Sequence, residues 1–113
     1  ELGAVEIARL GLPISVAALP HTAGRINRLF LRQRARCGMD VIPLNAHTVR
    51  QCLRALGRGR LVGLLGDRDF TGGGMTVPFG GGALAVPRGP AVLSLRSGAP
   101  IVPAFLLRDP VRP

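Results

Sequence analysis

The chain has 113 residues, 47% of them hydrophobic, with 15 basic side chains against 6 acidic ones, which leaves room for about one small domain with a core. Every basic residue is Arg and the formal net charge is +9, so anionic partners are expected, because a planar guanidinium fork suits phosphate and carboxylate. With four Phe and neither Trp nor Tyr, the composition argues against a base-stacking nucleic-acid platform, and no apolar run approaches the ~20 residues of a membrane-spanning helix.

In chain order, residues 2–10 read as a helix with Leu2, Val5, Ala8 and Leu10 near one face and Gly11 as its stop. The run 12–19, LPISVAAL, is β-branched and apolar and reads as a buried strand, ended by Pro20 and His21. Thr22 is placed to cap a helix over 23–37, with Gly38 closing it. A strand at 39–44, a helix at 46–59 and a strand at 60–65 follow. After a glycine-rich loop, residues 83–86 read as a short strand. A helix over 87–98 has Pro90 early and Gly98 at its end, and residues 100–107, PIVPAFLL, read as the last strand. This alternation predicts an α/β fold, a mostly parallel sheet flanked by helices. The chain has no initiator Met, opens as a helix already under way and stops just after a strand. It therefore reads as a domain missing its N-terminal part.

Two stretches carry chemistry. Arg25, Arg28, Arg32 and Arg36 fall within a stripe of roughly 80° on the second helix, with Ile26, Leu29, Phe30 and Cys37 on the neighbouring arc. Such a basic amphipathic helix is either a solvated face or a surface that meets anionic head groups. Arg34 lies off the stripe. The other stretch is LLGDRDFTGGGMTVPFGGG, residues 64–82, where an apolar strand ends in Asp67, Arg68 and Asp69 and opens into glycine. In parallel sheets ligands sit beyond the carboxyl ends of strands, which makes the triplet, with nearby arginines, the candidate site.

Other chemistries fail on the residues. The glycines lack the Lys-Ser/Thr of a phosphate loop, and the first strand turn has no GxGxxG. There is no Ser nucleophile elbow. Cys37 and Cys52 have no metal spacing and read as partly buried thiols of a reducing compartment, so no metal site is expected. His21 and His47 have no carboxylate at a useful local spacing and read as loop or capping residues. GC-rich coding would also enrich Arg, Ala and Gly, so the Arg excess alone does not decide the partner. No complete catalytic set is present.

RINRLFLRQRARCGMDVIPL, followed by ALGRGRLVGLLGDRDFTGGGMTVPFGGGALAVPRGPAVLSLRSGAPIVPAFLLRDP, resembles the bacterial lipid A biosynthesis (lauroyl/myristoyl) acyltransferase family and its relatives, the phosphatidylinositol mannoside acyltransferases. The resemblance covers about residues 24–109 and rests on ordered elements: Arg34 four before Gly38, the LRALGRGRLVGLL segment, DRD, the VPFGG turn and GAPIVPAF. It implies a glycerolipid-acyltransferase-like fold, incomplete here, with residues 1–113 as the C-terminal part of a single acyltransferase domain. It also implies a His-x4-Asp/Glu dyad in which Glu1 is the acid and the His lies five positions upstream, ahead of the chain. The chain alone is then expected to be inactive.

Arg34, Asp67, Arg68 and Asp69 are the implied substrate contacts. Arg68 and Arg34 would hold the acceptor's anionic group, and the aspartates would orient it or bond its sugar hydroxyls. The implied co-substrate is an acyl-CoA or acyl carrier protein thioester, with no bound cofactor. The acceptor is a glycolipid hydroxyl, of a phosphatidylinositol mannoside or a lipid A precursor, with the DRD form leaning toward the former. The expected location is the cytoplasmic face of the bacterial inner membrane, against an anionic surface and without nucleic acid. The rival reading is a non-catalytic basic module for anionic lipid or nucleic acid. It explains the Arg excess but neither the glycine loop nor the ordered match.

Overall fold

The computed structural model describes residues 2–19, 24–67, 69, 72–105 and 107. Its elements are α1 (Leu2–Arg9), β1 (Ile14–Ala18), α2 (Gly24–Arg36), β2 (Met39–Pro43), α3 (Thr48–Gly57), β3 (Leu61–Gly63), β4 (Met75–Phe79), β5 (Gly82–Val86) and α4 (Gly89–Ser97). β1 is the centre of a parallel sheet in the order β2-β1-β3, with Val16 opposite both Val41 and Gly63 and Ala18 opposite Pro43. The fold is α/β, with the parallel sheet flanked by helices as the alternation predicts.

Because side chains alternate across a strand, Val41 and Ile42 point to opposite faces, and the two faces are covered differently. On one, Ile42 packs with Cys52 and Ala55 of α3 and Leu93 of α4 in the buried core, and Leu53, Leu56, Val62 and Leu64 close around it. The i, i+3 spacing of Cys52 and Ala55 puts both on one side of α3. On the other face, Ile14 and Met39 are buried at the amino ends of β1 and β2. Toward the carboxyl ends that cover gives way to a groove under α2.

The amino edge of the sheet is tied by Arg60, just ahead of β3. Its Nε donates to the buried Ser15 hydroxyl at 2.9 Å, and its Nη2 donates to the Ile14 carbonyl at 3.0 Å. The same Nη2 meets the Asp40 carboxylate at 2.8 Å. One side chain thus links the first residues of all three strands.

Two elements differ from expectation. The glycine-rich stretch is a β-hairpin, not a loop with one strand after it. β4 pairs antiparallel with β5 from Met75–Val86 to Phe79–Gly82, and Gly80 and Gly81, at φ 57° and 81°, form the two-residue turn. Both central residues at positive φ is the geometry that matches the twist of paired strands. Residues 99–105 form no strand. Pro100 and Pro103 remove two of the N–H donors a ladder needs. Ile101, Val102 and Phe105 are left exposed.

The accessible surface is 8869 Å² for 11.8 kDa, where a compact monomer of that mass shows about 5,900 Å². Large apolar side chains lie on it: Ile26, Leu29, Phe79, Leu95, Val102 and Phe105 are all exposed. Among the described residues, no helix is long and apolar enough to cross a membrane.

Candidate active site

α2 determines what the open face of the sheet presents. The helix runs along β2 and buries no residue completely. The apolar arc is split: Phe30 and Cys37 are half-buried, whereas Ile26 is 49% and Leu29 66% exposed. The half-buried positions are Asn27, Phe30, Arg34 and Cys37, which lie on the side opposite the arginine stripe. Here the sheet offers small side chains such as Ala18 and Val16, and longer polar residues of α2 fill the space above them.

The result is a groove of about 230 Å³. Its floor is Ala18 and Leu19 at the end of β1 with Val41 and Pro43 of β2, and its wall is Asn27, Leu31 and Arg34 of α2. Asn27 and Arg34 are seven residues apart, two helical turns, and so share a face. Arg34 belongs to the last turn of α2, near the amino edge of the sheet. Helical side chains lean toward their own N-terminus, so its guanidinium lies over the ring of Phe30, 5.8 Å from the centroid, and reaches the groove. An apolar floor with one cation and one carboxamide suits an amphiphile whose polar end is anionic or carries hydroxyls.

The remaining predicted residues are distributed differently. Asp67 is exposed in the loop after β3 and does not line the Arg34 groove. Asp69 is half-buried, and its Oδ2 accepts the Gly74 N–H at 2.6 Å. Where the strand meets the hairpin, this aspartate holds the start of β4. Among the described residues, Arg34 is the one predicted contact that lines the groove; Glu1 and Arg68 lie outside the described residues, as do His21 and Thr22. Asn27 was missed by the sequence reading, although its spacing from Arg34 was a usable signal.

His47 occupies the N-cap position of α3 but makes no side-chain cap bond. The turn is held by Asn45 and Thr48 instead: the Thr48 hydroxyl donates toward the Pro43 and Asn45 carbonyls at 2.9 and 2.7 Å, and the Asn45 Oδ1 accepts the His47 N–H at 2.8 Å. Cys37 is a half-buried free thiol. Cys52 is fully buried, and desolvation raises its pKa above the ordinary thiol value despite a backbone hydrogen bond that acts the other way. Among the described residues, no group of three His, Cys, Asp or Glu is arranged to hold a metal ion.

The groove lies at the carboxyl ends of the parallel strands, where ligands sit in α/β domains. Over residues 1–112 the sequence matches the family described as bacterial lipid A biosynthesis acyltransferase, and the chain belongs to that family. A comparison with curated proteins gave no match. The family is one of acyltransferases, so the role it supports is acyl transfer, with an acyl donor and a lipid acceptor as the implied reactants.

Proposed function

We propose that this chain provides the acceptor-binding and membrane-facing part of an enzyme that moves a fatty acyl group from a thioester, acyl-CoA or acyl carrier protein, to a glycolipid hydroxyl. The acceptor is a phosphatidylinositol mannoside or a lipid A precursor, met at the cytoplasmic face of the inner membrane. The observation that carries this reading is the groove under α2, where Arg34 and Asn27 stand over an apolar floor. The guanidinium binds the acceptor's phosphate, the carboxamide bonds a sugar hydroxyl, and Ala18, Leu31 and Val41 take adjoining hydrocarbon.

In the reaction, the acceptor hydroxyl attacks the thioester carbonyl. A C–O bond forms, the C–S bond breaks, and the hydroxyl proton passes through a general base to the departing thiolate. The base is a His five positions ahead of Glu1, and Glu1 fixes its tautomer. Asp67 and Arg68 of the charged triplet supply further contacts to the acceptor. The arginine stripe and the exposed Leu29 of α2 meet the anionic membrane.

The test is acyl transfer in the enzyme extended upstream to include that His. Arg34→Ala is expected to lower transfer to the acceptor and to spare hydrolysis of the thioester by water. Equal loss of both reactions would remove Arg34 from the acceptor site. The chain starting at Glu1 is expected to show no turnover, and turnover above a denatured control would overturn the assignment of the dyad.

A further inference from the structure

The outward face of α2 is more organised than diffuse attraction to a charged surface requires. Arg25, Arg28 and Arg32 surround Leu29 and line a shallow concavity of about 310 Å³. Arg36, on the same stripe, does not line it. Among the described residues the ion pairs are Arg9 with Glu6 and Arg60 with Asp40, so none of the three has a carboxylate partner there. The helix, GRINRLFLRQRAR, contains no acidic residue and buries none of its side chains. Arg25 and Arg28 are three apart, and Arg28 and Arg32 four apart; like charges at these spacings destabilise a helix. Three arginines therefore line one hollow, with repulsion between them and no acidic residue on the helix to offset it.

We infer that Arg25, Arg28 and Arg32 form a cradle for the phosphomonoester headgroup of a membrane lipid, with the 66% exposed Leu29 set against the apolar layer beneath it. A phosphomonoester carries about −1.5 to −2 charge near neutral pH and three acceptor oxygens, matching three planar forks. A diester headgroup offers a single negative charge and fewer free oxygens. The inference rests on the membrane-facing reading of α2 and adds a headgroup preference to it.

The experiment is vesicle binding by the 113-residue chain at matched surface potential, with phosphatidic acid in one vesicle set and phosphatidylglycerol in the other, both diluted in phosphatidylcholine. The expected result is about tenfold tighter binding to the phosphatidic acid set, the worth of one additional charge-assisted hydrogen bond. Arg28→Gln is expected to abolish the preference. Arg36→Gln, an equal change in charge outside the hollow, weakens binding to both sets and keeps the preference. Far-UV circular dichroism checks that α2 persists in both variants. Equal binding at matched potential overturns the cradle and leaves the membrane reading standing, whereas no binding to either set overturns both. Inorganic phosphate alone is expected to bind only in the millimolar range; tight binding without vesicles would make this a free-phosphate site and overturn the lipid assignment.

Discussion

At the scale of single residues, the charged triplet divides its work. Asp69 spends a carboxylate oxygen on the Gly74 N–H, a charge-assisted bond worth about 1.5–3 kcal/mol. Asp69→Ala is expected to lower stability by about that amount, with faster hydrogen exchange concentrated in β4 and β5. Gly74 is constrained by the same contact: a Cβ there would meet Asp69 Oδ2 at 2.7 Å and the Val86 carbonyl at 2.8 Å. Gly74→Ala should therefore destabilise the hairpin, while Gly66→Ala, with nothing within 4 Å of its Cβ, serves as the control in the same thermal melts. Cys52 supplies a pH dependence. Its folded pKa is raised by burial, so its contribution to stability is complete below the unfolded thiol's pKa and is lost as pH rises through the folded value. Denaturant titrations are expected to show a decline on the alkaline side that Cys52→Ala removes, alongside the general cost of the cavity.

At the scale of elements, Arg60 is the fastening of the amino edge. Arg60→Ala removes its bonds to Ser15 and Ile14 and leaves a buried hydroxyl unpaired, so a loss of about 2–3 kcal/mol in chemical denaturation is expected. Asp40→Asn should change stability far less, because Asp40 is 69% exposed and water screens the pair. The same elements indicate what was legible. β1, α2, β2, α3 and α4 could be read from periodicity and stop signals, since Gly38 and Gly98 take the positive φ that closes a helix. The hairpin was legible too, because two glycines between short apolar runs signal a two-residue turn, but the abundance of glycine reads as loop. Residues 100–107 are apolar enough for a strand, and a composition-based reading underweights the donors lost at Pro100 and Pro103. The rotation of α2 was beyond the sequence. Its apolar arc only partly coincides with its sheet-facing arc: Phe30 and Cys37 turn inward, while Ile26 and Leu29 stay exposed.

At the scale of the whole molecule, the Cα radius of gyration is 15.2 Å, against about 13 Å for a compact chain of this length. The open surface follows from an unequal distribution of cover: α3 and α4 close one face of the sheet, and α2 lines the other with a polar-rimmed groove. Cations and exposed leucine share α2's outer side, and under the proposed function that side meets lipid while the groove side takes the acceptor. The most direct measurement is acyl transfer from a thioester to a glycolipid on anionic vesicles by the enzyme extended upstream of Glu1, with thioester hydrolysis recorded in parallel. Arg34→Ala is expected to reduce ester formation by about 1.5–3 kcal/mol in transition-state terms, with Arg34→Lys recovering part of it and hydrolysis unchanged. Transfer to the glycolipid at the same rate with and without the Arg34 guanidinium would contradict the assignment of the groove.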